Sequence, residues 1–352
     1  MSRITMKRWV GTLSFVLVVN VATAQQKQKA IEPAAINLEN IKYPFPVKFL
    51  NTAFQWQQFR MAYMDVQPEN PNGKNVLLLH GKNFNGSYWE TTANELKKRG
   101  YRVIIPDQVG FGKSSKPRQL QYSFQLMAMQ TKTLLDSLKV SKAIVLGHSM
   151  GGMLATRFAL MYPDLTEKLV LENPIGLEDY KIKVPYQPVE YWYRNELKQD
   201  YNSLKKYQQE NYYHGTWKPE YEKWVVILTR WTMNVDYSIV AWNAALTYDM
   251  IMTQPVVYEF SQLSAPTLVI IGELDKTALG KNLVSEEVRK TMGNYPELGK
   301  KTVEKIKDAK LVVLPKTGHI PHLESFNEFM KALIAFISDE TSRSAVTPQP
   351  SY

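Results

Sequence analysis

The 352-residue chain contains no cysteine. Disulfide bonds, thiolate-bound metal sites and a cysteine nucleophile are therefore excluded. The five histidines show no spacing with acidic residues that is typical of a metal site. No low-complexity tract dominates and 22% of the residues are charged, which excludes a largely disordered chain. Hydrophobic residues make up 44% of the sequence, and this fraction is enough for a sizeable globular core.

The sequence also lacks an apolar segment of the roughly 20 residues that a membrane-spanning helix needs. A shorter apolar stretch, residues 10–21, follows three basic residues and precedes the triplet ATA at 22–24. A basic start, a short apolar stretch and an A-x-A site are typical of a cleaved export signal. We therefore expect a signal peptide over residues 1–24 and a periplasmic or secreted protein without stable membrane insertion. An uncleaved N-terminal anchor is the alternative.

The formal net charge of +10 is not gathered in one patch. Part of it lies in the predicted signal peptide, and the remaining basic clusters, at 97–99, 205–206 and 300–301, are short and scattered. Such clusters are typical of solvated helix faces. No nucleic-acid-binding motif accompanies them, so we expect no nucleic-acid partner.

Short apolar runs alternate with helical patterns along most of the chain. Runs of about five β-branched and leucine residues are typical of buried parallel strands. We expect strands at 75–79, 102–106, 143–146, 169–171, 267–271 and 310–314, and helices at 88–99, 123–139, 150–161 and 327–337. Two earlier runs, 47–50 and 59–66, would add an antiparallel start. The pattern predicts an α/β fold with a doubly wound, mostly parallel sheet.

One region interrupts this rhythm. Residues 174–264 contain no buried-strand run and are rich in tyrosine and tryptophan. We interpret this region as a helical lid inserted into an α/β core made of residues 46–173 and 265–338. Residues 25–45 are polar and predict a loosely held lead-in, whereas the Ser/Thr/Pro content of 339–352 predicts a flexible tail.

The pentapeptide GHSMG, residues 147–151, lies between a predicted strand and a predicted helix. This position is what the G-x-S-x-G nucleophile motif requires. The serine lies on a strained turn that exposes its Oγ, and a side chain at either glycine would collide with the neighbouring strand or helix. A serine hydroxyl becomes a good nucleophile only with a base within about 2.6–3.2 Å.

Four further stretches, in the expected order, resemble conserved parts of the α/β-hydrolase-fold serine hydrolases. They are LLLHGKNFNGSYW at 77–89, IPDQVGFGKSS at 105–115, VIIGELDKTA at 269–278 and LPKTGHIPHLES at 314–325. Together with the GHSMG pentapeptide at 147–151, which we call the elbow, these stretches make the chain similar to lid-containing, esterase-like members of that family. The resemblance covers residues 47–337.

The resemblance implies a role for each matching residue. Ser149 is expected to be the nucleophile, His319 the general base and Asp275 the acid that orients the imidazole. The chain order Ser, Asp, His is that of the fold. The backbone N–H groups of Lys82 and Met150 are expected to form the oxyanion hole. The resemblance implies no cofactor and no metal.

Some assignments have competitors. Glu172 follows a predicted strand at a place where some family members carry the acid, so it is the alternative to Asp275. His322 lies three residues beyond His319, but the spacing before Glu324 favours His319 as the base.

Other polar residues near these motifs have expected structural roles. We expect His80 and His148 to be structural, and Asp107 to accept hydrogen bonds that close its loop. For the Lys82 ammonium we expect a position in solvent rather than a contact with an anionic substrate group.

The sequence thus predicts an exported serine hydrolase that cleaves a small carboxylic ester through an acyl-enzyme. The alternatives on the same fold are an iminopeptidase-like amide hydrolase, a carbon–carbon bond hydrolase and a cofactor-free haloperoxidase or perhydrolase. A binding protein without catalysis is a further alternative. The expected partner is a small acyl compound, and the sequence predicts no oligomeric state.

Overall fold

A computed structural model describes residues 31–339 of the chain. The predicted signal peptide, residues 25–30 of the lead-in and residues 340–352 of the predicted tail lie outside the described residues.

Eight strands form a single sheet in the order β1-β2-β4-β3-β5-β6-β7-β8. Their bounds are β1 Val47–Phe54, β2 Gln57–Val66, β3 Asn75–Leu79, β4 Arg102–Pro106, β5 Ala143–His148, β6 Thr166–Glu172, β7 Thr267–Gly272 and β8 Ala309–Leu314. β2 is antiparallel to both of its neighbours, and the pairs from β4 to β8 are parallel. Gln55 and Trp56, both with positive φ, make the tight turn between β1 and β2. The predicted α/β sheet with an antiparallel start is confirmed.

Eleven α-helices occur within residues 31–339. They are α1 Glu90–Lys98, α2 Phe124–Ser137, α3 Met150–Met161, α4 Val189–Glu196, α5 Tyr201–Tyr207, α6 Glu222–Thr232, α7 Tyr237–Thr253, α8 Glu286–Lys290, α9 Tyr295–Val303, α10 Pro321–Glu324 and α11 Phe326–Ser338. None of these helices combines the length and the apolar character that crossing a bilayer requires.

Successive side chains of a strand point to opposite faces of the sheet. An apolar cluster covers each face, so the sheet is buried on both sides. In β3, Leu77 and Leu79 belong to one apolar cluster, and Val76 and Leu78 belong to the other. Residues of α2, α3 and α9 belong to the apolar cluster on one face of the sheet, and residues of α1 and α11 belong to the cluster on the other face. This two-layer cover explains why the central strands are continuous apolar runs rather than alternating ones.

Four helices, α4 to α7, lie between β6 and β7 and form the helical insertion. Its helices pair as α4 with α7 and α5 with α6. A π-helical turn, Gln208–Tyr212, follows α5 and carries the chain back towards the sheet. The insertion begins after the carboxyl end of β6, so it lies above the sheet edge where α/β proteins bind ligands.

The lead-in is not loosely held, contrary to the expectation from its polarity. The backbone N–H of Ala34 donates to the carbonyl of Arg230 in α6, and the indole N–H of Trp231 donates to the carbonyls of residues 35 and 36. Leu38 is fully buried. A few apolar side chains and backbone pairing with α6 therefore fix residues 32–45, although their composition is polar.

Candidate active site

The three residues expected to form the triad meet at the carboxyl edge of the sheet. Ser149 follows β5, Asp275 lies just beyond β7, and His319 lies in the loop after β8. His319 Nε2 is 3.0 Å from Ser149 Oγ, and His319 Nδ1 is 2.7 Å from Asp275 Oδ2. These separations are within hydrogen-bonding distance, although the three residues are far apart in sequence.

The carboxylate of Asp275 selects the tautomer of the imidazole. A carboxylate only accepts, so His319 Nδ1 carries the proton and Nε2 presents a lone pair to the serine hydroxyl. Asp275 is fully buried, and its oxygens also accept from the Asn173 side-chain amide at 2.6 Å and the Thr277 N–H at 2.8 Å. The acid is therefore held from three sides.

Sequence reasoning missed Asn173. Its side-chain oxygen also accepts from the Gly272 N–H at 2.9 Å, so it joins the ends of β6 and β7. The sequence did contain a signal for Asn173, because this residue directly follows β6 at the sheet edge where the strands before Ser149 and Asp275 also end.

The elbow has the strained geometry that its motif predicts. Ser149 has φ 57° and ψ −121°, in a region that non-glycine residues rarely adopt. A Cβ at Gly147 would overlap the carbonyl oxygen of Gly151, and a Cβ at Gly151 would overlap that of Leu79. Glycines at both positions therefore allow α3 to begin directly under the strand edge. Ser149 remains only 7% exposed, beneath the insertion.

The expected oxyanion donors lie on two different elements. Met150 is the first residue of α3, where the backbone N–H has no partner within the helix. Lys82 follows Gly81 in the loop after β3. A Cβ at Gly81 would come within 3.1 Å of the Ser149 Cβ, so this loop contacts the nucleophile directly. Within residues 31–339 we find no hydrogen bond from either N–H to another protein group.

A comparison with known families agrees with this geometry. The family model for the alpha/beta hydrolase fold matches residues 74–326, a range that includes every site residue described above. The chain belongs to the α/β-hydrolase fold family.

Solved structures are similar to this chain over most of its length. A probable hydrolytic enzyme from Pseudomonas aeruginosa PAO1 is 48% identical, with a TM-score of 0.86, over 87% of this chain and 98% of that one. An esterase from Exiguobacterium antarcticum has a TM-score of 0.61 at 21% identity, over 80% of this chain and 96% of that one, and shows a shared fold.

Curated relatives match over a shorter segment. A 2-hydroxy-6-oxo-6-phenylhexa-2,4-dienoate hydrolase from Burkholderia cepacia is 37% identical over 30% of this chain and 38% of its own length. A haloalkane dehalogenase from Mycolicibacterium paratuberculosis is 32% identical over 39% of this chain and 45% of its own length. The first curated relatives, uncharacterized mycobacterial proteins, are matched over 30% of their length.

The alternative acid of this α/β hydrolase, Glu172, does not reach His319. Its Oε1 accepts from the backbone N–H of His322 at 2.8 Å and lies 2.9 Å from His322 Nδ1. The Glu172 carbonyl accepts from the Ser149 N–H at 3.1 Å. Glu172 therefore holds the nucleophile and the segment after the base in place, and the geometry contradicts its assignment as partner of His319.

His148 connects the loop after β3, which carries Gly81 and Lys82, to His319. Burial lowers the pKa of His148 well below its usual range, so the ring is neutral. Its Nε2 is 2.8 Å from the carbonyl of His319 and must donate, so Nδ1 accepts from the Tyr88 hydroxyl at 3.1 Å. The Tyr88 oxygen in turn accepts from the Gly81 N–H at 2.9 Å.

His80 and Asp107 occupy the structural positions expected of them. The His80 ring accepts from the Gln108 N–H at 3.0 Å, and burial lowers its pKa. Asp107 accepts hydrogen bonds from three donors, namely the backbone N–H groups of Gly86 and Lys113 and the hydroxyl of Tyr43.

His319 is held by Glu324, which belongs to the motif around it, and by Tyr212, which the motifs did not single out. Glu324 accepts from the Gly318 N–H at 3.0 Å and from the Ile320 N–H at 2.9 Å, one on each side of His319. Tyr212, from the insertion, accepts the His319 N–H at its carbonyl at 2.8 Å and stacks its ring on the imidazole, with centroids 4.9 Å apart. The insertion thus contributes directly to the base.

The Lys82 side chain does not point into solvent as expected. Its ammonium lies 2.9 Å from Glu196 Oε1 of α4 and 4.0 Å from the centre of the Tyr248 ring of α7. The Lys82 and Glu196 side chains are only 10% and 16% exposed. The expectation was wrong because the insertion covers this loop and supplies a carboxylate for the buried charge.

Two cavities flank Glu196 of this ion pair. The oxyanion-side cavity, of about 50 Å³, is lined mainly by apolar groups such as Phe111, Leu228 and Val240, together with Lys82. The base-side cavity, of about 410 Å³, is lined by polar groups such as Asn195, Gln199, Asn211 and Lys281, together with several aromatic rings. Glu196 lines both and separates them.

Proposed function

We propose that this α/β hydrolase cleaves a small carboxylic ester through Ser149, His319 and Asp275. The observation that carries the proposal is the hydrogen-bonded series from the buried Asp275 through His319 to Ser149 Oγ. Within residues 31–339, Ser149 is the only serine on a strained strand-to-helix turn whose hydroxyl lies within hydrogen-bonding distance of a histidine nitrogen.

The reaction follows from this arrangement. Ser149 Oγ bonds to the ester carbonyl carbon as its proton passes to His319 Nε2, and the carbonyl oxygen becomes an oxyanion that accepts from the Lys82 and Met150 N–H groups. The intermediate then collapses, the carbon–oxygen bond to the alcohol breaks, and His319 returns the proton to the departing oxygen.

Water completes the cycle. It loses a proton to His319 as it attacks the acyl-enzyme, the carboxylic acid departs, and Ser149 regains its proton. Asp275 stabilises the imidazolium in both steps. Ser149 and His319 therefore take part in every proton transfer of these steps, together with the alcohol and the attacking water.

A fluorophosphonate probe and 4-nitrophenyl butyrate test the proposal together. We expect the wild type and Ser137→Ala, a control in α2, to take the label and release nitrophenolate. Ser149→Ala is expected to do neither. A folded wild-type protein that takes no label and hydrolyses no ester would favour a binding protein on the same fold.

Carbon–carbon bond cleavage is a second candidate, favoured by the alignment with the Burkholderia cepacia dienoate hydrolase. The same serine and base would act on a ketone carbonyl. Comparing kcat/KM for 4-nitrophenyl butyrate and a 2-hydroxy-6-oxo-dienoate distinguishes the two, since a higher value for the dienoate would reassign the bond that is cleaved. The haloalkane dehalogenase relative gives weaker support for a dehalogenase activity in this chain. The reason is that residue 149 of the elbow is a serine and not the aspartate that is typical of those enzymes.

A further inference from the structure

A series of hydrogen bonds connects the loop after β3 to the backbone of His319. The Gly81 N–H donates to the Tyr88 hydroxyl at 2.9 Å, and this hydroxyl lies 3.1 Å from His148 Nδ1. His148 Nε2 lies 2.8 Å from the carbonyl of His319. Tyr88, His148 and His319 are each at most 1% exposed. The series therefore lies in the protein interior, where a hydrogen bond is stronger than in water.

Each hydrogen bond of this series has a single direction. A carbonyl oxygen only accepts, so His148 Nε2 carries the proton, and Nδ1 of the neutral ring presents a lone pair. Burial raises the pKa of Tyr88 well above its usual range, so the hydroxyl keeps its proton and donates it to Nδ1. The Tyr88 oxygen thus accepts from one side and donates to the other.

One end of the series holds the loop that carries the expected oxyanion donor. The Gly81 carbonyl and the Lys82 N–H belong to one planar peptide group, and this carbonyl lies 2.9 Å from His80 Nδ1. His80 Nε2 accepts from the Gln108 N–H, so Nδ1 of this neutral ring donates. Tyr88 holds the preceding peptide group through the Gly81 N–H. Both peptide groups that meet at Gly81 are therefore fixed, and with them the direction of the Lys82 N–H.

The other end of the series holds the proposed base, because His148 donates to the carbonyl of His319. The nucleophile lies between the two ends. A Cβ at Gly81 would come within 3.1 Å of both His148 Nδ1 and the Ser149 Cβ, so the loop packs directly on the ring and on the serine. The Tyr88 hydroxyl is the link through which the loop and the base are joined.

From this arrangement we propose that Tyr88 and His148 are positioning residues that set the separation between the proposed oxyanion hole and the base. They touch no substrate atom, and they act by holding the Lys82 N–H and His319 on either side of Ser149. This inference rests on the proposed function and adds two residues to it. Misplacing a catalytic group by about 1 Å can cost about 10²-fold in rate, so a loss of the link should be visible in kinetics.

Tyr88→Phe tests the proposal because it removes the hydroxyl and keeps the ring, which stacks on Phe84 with centroids 4.8 Å apart. We expect kcat for 4-nitrophenyl butyrate to fall about 10- to 100-fold, and KM to change less than about threefold, because an oxyanion donor acts mainly in the transition state. Tyr101→Phe is the matched control. It removes another buried hydroxyl, which lies near Ser338 at the amino end of β4, away from the site. This control should leave kcat and KM unchanged.

A trifluoromethyl ketone separates positioning from a loss of folded protein. Ser149 Oγ bonds to the carbonyl carbon of 1,1,1-trifluoropentan-2-one as its proton passes to His319, and the hemiketal oxygen anion takes the place of the oxyanion. Its Ki should rise in Tyr88→Phe by about the factor by which kcat/KM falls. Titration with the fluorophosphonate probe gives the active fraction of each preparation. A variant that only folded less completely would show a smaller active fraction with an unchanged Ki.

His148 provides a second pair of variants, which tests the proposal even if Tyr88→Phe does not fold. His148→Gln keeps an acceptor and a donor in one side-chain amide, whereas His148→Met has the same chain length and no N–H donor. We expect kcat/KM of His148→Met to lie at least about tenfold below that of His148→Gln, with a matching difference in Ki.

Two results would overturn the inference. One is a Ki of Tyr88→Phe that stays within about threefold of the wild-type value, whatever the change in kcat. The other is a His148→Met variant that matches His148→Gln in kcat/KM and Ki. Both results presuppose ester hydrolysis, so they leave the proposed function intact, whereas a wild type that takes no fluorophosphonate label and cleaves no ester refutes both.

Discussion

Two buried histidine–carboxylate pairs lie side by side at the carboxyl edge of the sheet. In one, His319 Nδ1 is 2.7 Å from Asp275, and in the other, His322 Nδ1 is 2.9 Å from Glu172. The ring of His148 lies between them, with its centroid 4.9 Å from that of His319 and 5.4 Å from that of His322. Both pairs have side chains that are at most 1% exposed.

The pairs differ in what faces the second ring nitrogen. His319 Nε2 faces the hydroxyl of Ser149, whereas His322 Nε2 and Glu172 Oε2 have no hydrogen-bond partner within the described residues. The His322 ring instead stacks on Trp89, with centroids 4.2 Å apart. A buried carboxylate beside a histidine is therefore not enough for general-base catalysis, because the histidine also needs a neighbouring group whose proton it can take.

The largest expected effect comes from exchanging each histidine in turn. His319→Gln should lower kcat by at least about 10⁴-fold, because the serine then has no base. His322→Gln should lower kcat less than tenfold. Steady-state kinetics on 4-nitrophenyl butyrate checks both values.

Thermal unfolding should rank the two histidine variants in the opposite order, with the larger loss of stability in His322→Gln. His322→Gln removes the ring nitrogen that lies 2.9 Å from Glu172 Oε1 and the ring that stacks on Trp89, whereas the backbone N–H of residue 322 still donates to Glu172. We expect this loss of a buried hydrogen bond to cost about 1–3 kcal/mol of stability. His319→Gln should change Tm less. If both variants lost the same activity and the same stability, the distinction between the pairs would not hold.

The carboxylates give the next largest effect. If the Asn oxygen keeps the bond from the Thr277 N–H, Asp275→Asn presents an amide donor to His319 Nδ1 and favours the wrong tautomer, and losses of about 10⁴-fold in kcat follow from that change in other triads. Glu172→Gln keeps an acceptor for the His322 N–H, so we expect a loss of kcat below tenfold. A larger kinetic loss at Glu172 than at Asp275 would reverse the assignment of the acid.

The smallest expected effect comes from Glu324, which lies in the segment that carries His319 and His322. Burial raises the pKa of Glu324 from 4.5 to about 7. The unfolded chain therefore loses this proton first, and the contribution of Glu324 to the free energy of unfolding declines as pH rises from 4.5 through 7. We expect Tm of Glu324→Gln to vary less with pH across this window than Tm of the wild type.

Scanning calorimetry at several pH values between 4.5 and 7.5 measures this difference. Glu297→Gln, at an exposed ion pair on α9, is the matched control because it removes a carboxyl from the surface. Parallel curves for the wild type and Glu324→Gln would show that the buried carboxyl does not titrate in this range.

Most of the fold could be predicted from the sequence. The strand Asn75–Leu79 and the helix Met150–Met161 have the predicted bounds, since an uninterrupted apolar run has few alternatives in a sheet covered on both faces. Ser149, Asp275 and His319 could be located because their motifs follow strand ends, and the ends of parallel strands meet at one edge.

The side-chain partners could not be predicted in the same way. Lys82 finds Glu196, and His319 finds the carbonyl of Tyr212, only after the insertion has packed over the sheet. Neither contact has a sequence period or a fixed spacing, because the partners lie more than 100 residues apart. The polar lead-in misleads for the same reason, since pairing with α6 outweighs its composition.

The contact of Tyr212 with His319 has a consequence for how members of this fold family are compared or recombined. The helical insertion over the candidate site also positions the imidazole of His319, so the insertion and the candidate site are not independent parts. An exchange of the 174–264 segment with a relative would also replace Tyr212, which positions the proposed base His319. Chimaeras that keep residues 208–212 are therefore the ones to build first.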